Sequence, residues 1–275
     1  MKHAIQIIRR AVMTYLGNSR GFIVKNQTKH AYTIGGKAEQ LNNISRNLMP
    51  NYVVIPTEVD NCDLSEVISS AVKSLTADFK AFANPKHRYA IRSSAVGEDG
   101  EGQSYAGIFE SKLNVPVTGI EVAVREVRAS GNSGKVQAYA SAPNGHTIWT
   151  DITDVAVIIM DMVDARYSGV LFSKEPVEGT DRMLVEWEEG VGGVVDGESD
   201  STMCFLDQNL FDLGNVNLLG SLPFFYHKPL KIIWEEAKRL ENNYRKPVDI
   251  EWAIDKEGKP WVLQVRPITA MKETA

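Results

Sequence analysis

The spacing of apolar residues divides the 275-residue chain into helical and strand-like segments. Apolar residues three or four positions apart predict amphipathic helices, and they occur at 5–16, 33–48, 64–83, 119–131 and 230–244. The β-branched residues at 119–131 leave a strand as the alternative there. Alternating or continuous apolar runs predict strands, and they occur at 21–26, 52–56, 88–92, 155–163, 168–176, 182–190, 248–255 and 260–268. Two weaker strands are predicted at 135–142 and 146–152. This mixture, without an internal repeat, predicts α+β lobes that share a cleft.

One apolar run and one hairpin stand out from this pattern. The run VAVIIMDMV at 155–163 is typical of a central strand buried on both faces, and we expect the runs at 168–176 and 182–190 to be its neighbours. The last two strands flank KEGK at 256–259 and predict a hairpin. A four-residue loop predicts three facing pairs: Asp255 with Pro260, Glu251 with Gln264 and Asp249 with Arg266.

Side-chain alternation gives the two faces of this hairpin different chemistry. One face is apolar and carries Ile250, Trp252, Ile254, Leu263 and Val265. The other presents two carboxylates and an amide beside an arginine, a set that suits a magnesium nucleotide because Mg²⁺ prefers oxygen ligands and arginine grips phosphate. The alternative is an edge hairpin with a solvated Asp249–Arg266 salt bridge worth at most about 1 kcal/mol.

Two glycine-rich segments offer further sites for an anion. Arg92 precedes a loop with glycines at 97, 100, 102 and 107, where backbone N–H groups can approach a phosphate closely. The acidic residues in that loop leave open that it is only a flexible, solvated connection. The second segment places Lys37 directly after Gly35 and Gly36 at the start of a predicted helix, although the pattern is not a Walker A loop.

Composition excludes several classes of protein. The net charge is −5 and 43% of the residues are hydrophobic, which favours a globular protein and argues against a general nucleic-acid surface. Cys62 and Cys204 lie outside any Cys/His cluster, so we expect two buried thiols rather than a zinc site or a disulfide. No segment has the roughly 18 apolar residues of a membrane span, which predicts a soluble, cytoplasmic protein without a membrane partner.

Four segments in order resemble the N-terminal nucleotide-binding domain of the phosphoenolpyruvate synthase and pyruvate phosphate dikinase family, which rifampicin phosphotransferase shares. They are TIGGKAEQL, AIRSSAVGED with SYAGIFES, VAVIIMDMVDARYSGVLFSKEPVEG and VDIEWAIDKEGKPWVLQVRPIT. The resemblance covers about residues 33 to 270. It implies an ATP-grasp fold in which two lobes clamp Mg-ATP in the cleft between them. We expect 1–155 to form the lobe with the glycine-rich loop and 156–275 the lobe with the metal-binding hairpin.

The same resemblance implies a role for individual residues. It assigns ATP phosphates and phosphoryl transfer to Lys37, Arg92 and Arg266, and magnesium to Glu251 and Gln264. The remaining nucleotide contacts fall on Ser93, Ser94 and Gly107 of the phosphate loop, on Asp161, Met162 and Val163 for adenine, and on Glu186. The chain departs from the family pattern at Gly193, where a second acid is expected, and at Met160, where glutamine is common.

The resemblance also implies what the chain does. None of the five histidines lies in the family's phosphohistidine setting, so we expect an ATP-dependent phosphotransfer module without phosphohistidine and pyruvate domains, with the acceptor supplied in trans. The acceptor is then a phosphohistidine-domain protein or another group. A non-catalytic protein that binds a partner when ATP closes its lobes is the alternative, and an ATP-grasp ligase that activates a carboxylate is a third reading.

Overall fold

The protein folds as two compact units. The computed structural model describes residues 12–15, 21–25, 33–77, 87–95, 109–132, 155–177, 179–191, 201–207 and 222–268. The first unit holds the described residues of 1–42, 51–100 and 104–162, and the second holds 43–50 and those from 163 onward. The chain therefore leaves the first unit for the strap at 43–50, returns, and leaves again after Met162.

The first unit is built on a six-stranded sheet. Its strands are β1 (Val12–Tyr15), β2 (Gly21–Lys25), β3 (Tyr52–Ile55), β4 (Arg88–Ala95), β5 (Ser111–Pro116) and β6 (Val155–Asp161). They lie in the order β1-β2-β3-β6-β4-β5, and only β2 and β3 pair in parallel. Three helices accompany them in the part of this unit that the structure describes: α1 (Gly35–Leu41), α2 (Leu64–Ala77) and α3 (Ile120–Ala129).

The main core of this unit lies between the sheet and the helices α2 and α3. Apolar residues at helical spacing on both helices pack with alternate residues of β3, β4 and β6, including Tyr89, Ile91 and Ile159. Strand β6 is buried along its length up to Met160, as its continuous apolar sequence predicts. Helix α1 instead docks on β4 through Ser94.

The described residues of the second unit form an antiparallel five-stranded sheet and one long helix. The strands are β7 (Ala165–Phe172), β8 (Arg182–Glu189), β9 (Thr202–Asp207), β10 (Val248–Asp255) and β11 (Pro260–Pro267), in the order β11-β10-β7-β8-β9. Helix α4 (His227–Tyr244) packs on β10 and β11. Its buried positions recur at helical spacing and include Leu230, Ile233, Ala237 and Leu240. None of the described helices has the length and apolar content to cross a membrane.

A buried carboxylate in α4 holds the strap at 43–50. Glu236 accepts hydrogen bonds from the backbone N–H of Ser45 (2.7 Å) and its hydroxyl (2.8 Å). Arg239, one turn along α4, donates to the same carboxylate from Nε (2.9 Å) and Nη2 (2.6 Å). The Arg239 Nη2 also donates to the carbonyl of Asn43 (2.5 Å). The strap is thereby joined to α4 by polar contacts between residues about 190 positions apart in the sequence.

Several predictions of local structure need correction. Residues 12–15 form a strand rather than a helix, and the helix expected over 33–48 ends at Leu41 and is followed by a 3-10 turn at Arg46–Leu48. The neighbours of β6 are β3 and β4, whereas β7 and β8 belong to the other sheet. Cys62 is exposed because it lies in the turn before α2, and Cys204 is half-buried. The weak strands at 135–142 and 146–152 lie outside the described residues.

Candidate functional site

The C-terminal hairpin brings its polar residues together in the second unit. Glu251 lies directly opposite Gln264, and Asp249 lies opposite Arg266, as side-chain alternation predicts. The Glu251 and Gln264 residues are 8% and 3% exposed. A carboxylate and an amide are therefore held side by side in a largely buried position on the hairpin.

The turn of this hairpin is one residue longer than predicted. Ile254, not Asp255, pairs with Pro260, because the Asp255 carboxylate closes the turn by accepting hydrogen bonds from the N–H groups of Glu257 (3.1 Å) and Lys259 (2.7 Å). An irregularity after Glu251 leaves Leu263 as an extra residue on β11 and restores the predicted register beyond it.

The same irregularity changes the apolar face of the hairpin. Val262, opposite Trp252, is fully buried, whereas Leu263 is only half-buried. Val262 therefore occupies the place on the packed face that the sequence had assigned to Leu263.

Asp249 and Arg266 form a two-point ion pair. The Arg266 Nε donates to Asp249 Oδ1 (3.1 Å), and its Nη2 donates to Oδ2 (2.9 Å). The side chains are 13% and 24% exposed for Asp249 and Arg266 respectively, so the pair is more buried than the solvated salt bridge considered from the sequence. Burial raises the pKa of Asp249, the charge of Arg266 opposes that shift, and the charge of Glu251 adds to it. The fold thus holds two carboxylates that repel each other on one face.

Glu186 lies on the same face of the sheet as Glu251 and Gln264. In register across the strands, Gln264 faces Glu251, Glu251 faces Val170, and Val170 faces Glu186. Directly opposed residues project to one face, so the row holds an amide and two carboxylates, with Glu186 about 10 Å from Glu251 along the row. The opposite face of β10 and β11 packs against α4. Spacing along the chain did not indicate this row, because strand order is not visible from spacing.

Lys37 is carried by a short helix that is locked onto β4. Gly35 begins α1 with φ of +72°, and a Cβ there would lie 2.0 Å from the carbonyl oxygen of Ser94. The Ser94 hydroxyl donates to the carbonyl of Ile34 (2.7 Å) and accepts from the N–H of Ala38 (3.0 Å). The first glycine of GGK therefore permits a close approach of backbones, and the described contacts of Ser94 are those of a helix anchor.

Arg92 and Ser93 project to opposite faces of β4. Alternation places Arg92 on the face of Ser94 and α1, where it is half-buried. Ser93 lies on the face of Ile91, which packs in the core against α2 and α3, and among the described residues its buried hydroxyl has no hydrogen-bond partner. The structure thus separates the two residues that the resemblance implied as phosphate contacts, and a nucleotide role for Ser93 stays a prediction.

The adenine segment implied by the resemblance begins at the end of β6. The Asp161 side chain faces Tyr89 on the core side of the sheet. Met162 donates its N–H to the carbonyl of Arg88 (2.9 Å), and the carbonyl of Val163 accepts from the N–H of Ala165 (2.9 Å). Gly107 and the rest of the glycine-rich loop lie outside the described residues.

Comparison with known proteins gives one family that matches most of the chain. The model of the pyruvate phosphate dikinase AMP/ATP-binding domain matches residues 20–218 and 225–275. This match confirms the resemblance found in the sequence and, with the two α+β units, the predicted α+β ATP-grasp class.

Individual relatives have low sequence identity to this chain. The uncharacterized phosphotransferase YvkC of Bacillus subtilis is 27% identical over 94% of this chain and 34% of its own length. A probable phosphoenolpyruvate synthase of Methanothermobacter thermautotrophicus is 31% identical over 67% of this chain and 30% of its own length. The chain thus spans about a third of these relatives. Among solved structures, N5-carboxyaminoimidazole synthase from Aspergillus clavatus covers 88% of this chain and 46% of its own at 9% identity, with a TM-score of 0.43, which is too low to carry an argument.

Proposed function

Since the chain belongs to the family of the pyruvate phosphate dikinase AMP/ATP-binding domain, we propose that it binds Mg-ATP and transfers a phosphoryl group. The acceptor in this proposal lies outside the 275 residues, on a phosphohistidine domain or another protein, because no histidine of the chain has a phosphohistidine setting. Relatives named as a phosphotransferase and a probable phosphoenolpyruvate synthase support the transfer chemistry.

The observation that carries this proposal is the buried polar face of the hairpin. Asp249 and Glu251 are two residues apart on one face of β10, about 7 Å along the strand. Their mutual repulsion contributes to the raised pKa of Asp249, and a divalent cation would relieve it. Carboxylate and amide oxygens are the ligand types that Mg²⁺ prefers. The donor set therefore fits magnesium, with Glu251 and Gln264 as its ligands.

The remaining residues supply positive charge for phosphate. Arg266 is oriented by its two bonds to Asp249, and a fixed guanidinium can stabilise charge that develops during phosphoryl transfer without reorganising. In the first unit, Lys37 and Arg92 belong to the face of the sheet that carries α1. When bound, Mg²⁺ would neutralise phosphate charge.

The binding half of this proposal is tested by melting temperature with and without Mg-ATP. At a hundredfold excess over its dissociation constant, a ligand of the native state adds about 2.7 kcal/mol, which corresponds to a shift of at least about 5 °C for a chain of this size. We expect Glu251→Ala to abolish the shift and Asp249→Ala to reduce it less. Glu235→Ala, an exposed carboxylate of α4, is the matched control. Absence of a shift in the wild type at millimolar Mg-ATP would contradict the proposal.

The transfer half is tested by nucleotide turnover. The release of ADP or AMP is measured for the chain alone and after addition of a phosphohistidine-domain protein. We expect turnover to depend on the added acceptor and on Arg266, because Arg266→Ala removes the charge proposed to act in the transition state. Tight nucleotide binding with no ADP or AMP under either condition would favour the non-catalytic alternative.

A further inference from the structure

The end of strand β6 is held by a symmetrical polar clamp. Asp161 is the last residue of β6, which lies between β3 and β4. Asn51 and His87 directly precede those two flanking strands, and each reaches one oxygen of the Asp161 carboxylate. The Asn51 Nδ2 donates to Oδ2 (2.8 Å), and His87 Nε2 lies 2.9 Å from Oδ1. We call Asn51, His87 and Asp161 the β6 clamp.

Backbone contacts reinforce the clamp from the same two sides. The N–H of Asp161 donates to the carbonyl of Asn51 (2.8 Å), and the N–H of Met162 donates to the carbonyl of Arg88 (2.9 Å). The His87 ring also packs edge-on against Tyr89, with ring centroids 4.8 Å apart. Burial and the charge of Asp161 raise the pKa of Tyr89 to about 12. The path of the chain as it leaves β6 is thus fixed by four polar contacts and one ring contact.

The clamp carboxylate lies on the wrong side of the sheet to serve as a ligand of the phosphate-binding residues. Asp161 faces Tyr89 in register, and Tyr89 belongs to the core beneath α2 and α3. Arg92 and Ser94 project to the other face, where α1 docks. The Asp161 side chain therefore holds the end of β6 to Asn51 and His87, whereas the Met162 and Val163 backbone that follows is the segment proposed to meet the base.

From this arrangement we infer that the β6 clamp positions the Met162–Val163 backbone for recognition of an adenine base. This inference rests on the proposed function. The adenine edge offers an acceptor at N1 and a donor at N6, and guanine offers the reverse pattern, so a backbone held in one orientation selects between them. Because such selection depends on orientation, groups that hold the backbone determine base specificity without touching the nucleotide. Asn51, His87 and Asp161 are then positioning residues.

The inference is tested with three probes that share a triphosphate group: Mg-ATP, Mg-GTP and magnesium tripolyphosphate, which has no base. Dissociation constants for all three are measured on the full chain and on Asp161→Ala, Asn51→Ala and His87→Gln. We expect Asp161→Ala to weaken ATP binding about tenfold, to reduce the preference for ATP over GTP, and to leave tripolyphosphate binding within twofold. Asp161→Asn keeps the shape and can bond both neighbours, so it should restore most of the ATP affinity.

Two controls separate positioning from a structural role. Glu121→Ala removes another carboxylate of the first unit, bonded to Ser65 and Arg125, and should change none of the three affinities. Melting temperatures without ligand show which variants fold. If Asp161→Ala does not fold, the test uses Asn51→Ala and His87→Gln, each of which removes only one of the two contacts with the Asp161 carboxylate. Unchanged ATP affinity, or equal losses for ATP and tripolyphosphate, would overturn the clamp inference and leave the proposed function standing. A wild-type chain that binds none of the three probes would overturn both the clamp inference and the proposed function.

Discussion

Replacing Glu236 with alanine should destabilise the protein strongly, because this carboxylate holds the strap at 43–50. The Glu236 side chain is 4% exposed and accepts four hydrogen bonds, two from Ser45 and two from Arg239. Hydrogen bonds to a charged group are worth about 1.5 kcal/mol each at the lower end, so the two from Ser45 contribute about 3 kcal/mol. Arg239 is 41% exposed, so water replaces the two hydrogen bonds that it loses. Their loss adds less than about 1 kcal/mol to the destabilisation.

The loss is measured by calorimetric melting. At about 2 °C per kcal/mol for a chain of this size, Glu236→Ala should lower the melting temperature by about 6 °C or more. Glu241→Ala is the matched control, because Glu241 lies on the same helix and makes one ion pair with Lys238 at 2.9 Å, for which we expect less than about 1 kcal/mol. A Glu236→Ala shift no larger than that of Glu241→Ala would refute the reasoning.

The same residue sets a pH dependence with a definite sign. Burial raises the pKa of Glu236, but hydrogen bonds from Arg239 and Ser45 together outweigh burial and hold the pKa below its usual value. A lowered carboxyl pKa stabilises the folded state above the unfolded pKa, about 4.3, and this contribution is lost as the pH falls through the folded pKa. The difference in melting temperature between the wild type and Glu236→Gln should therefore be constant near neutral pH and shrink below about pH 4.

Three further substitutions test other contacts. Asp249→Asn should leave the melting temperature at pH 7 unchanged or higher, because the raised pKa of Asp249 means that the folded state disfavours its charge. A fall in melting temperature as large as that of Glu236→Ala would contradict this. Gly169→Ala should cost about 1–3 kcal/mol on denaturant unfolding, because its Cβ would lie 1.8 Å from the carbonyl oxygen of Glu186; wild-type stability would show that β7 and β8 can separate freely. Gly35→Ala should weaken Mg-ATP binding at least threefold, since φ of +72° and contact with Ser94 exclude a side chain; an unchanged dissociation constant would remove α1 from the site.

The spacing of apolar residues predicted secondary structure correctly where the residues of one segment are sufficient to determine it. The run at 155–163 identified a central buried strand because burial on both faces requires apolar residues at every position. Residues 5–16 misled because a spacing of four, as in Ile8, Val12 and Leu16, satisfies period two as well as period 3.6. The pairing of Val12–Tyr15 with β2 resolves this ambiguity, and that pairing is not visible within the segment.

The hairpin shows how correct residue pairing can follow from an incomplete local prediction. Glu251 and Gln264 were predicted to face each other from a four-residue loop, whereas the turn is longer by one residue and Leu263 is an extra residue on β11. The two differences offset each other, so the pairs beyond Leu263 keep the predicted register. The Asp255 contacts that lengthen the turn depend on side-chain geometry, which alternation does not describe.

The sequence by itself determined the α+β class, the family, the polar face of the hairpin and the residues that carry charge in it. These follow from periodicity and from motifs that are contiguous along the chain. Only the tertiary structure decided that Glu186 shares a row with Glu251, that Ser93 rather than Arg92 lies on the core face of β4, and that Asn51 and His87 both contact the Asp161 carboxylate. The reason is physical: strand order, burial and side-chain hydrogen bonds between distant residues depend on how segments pack, and spacing within one segment carries no record of its neighbours.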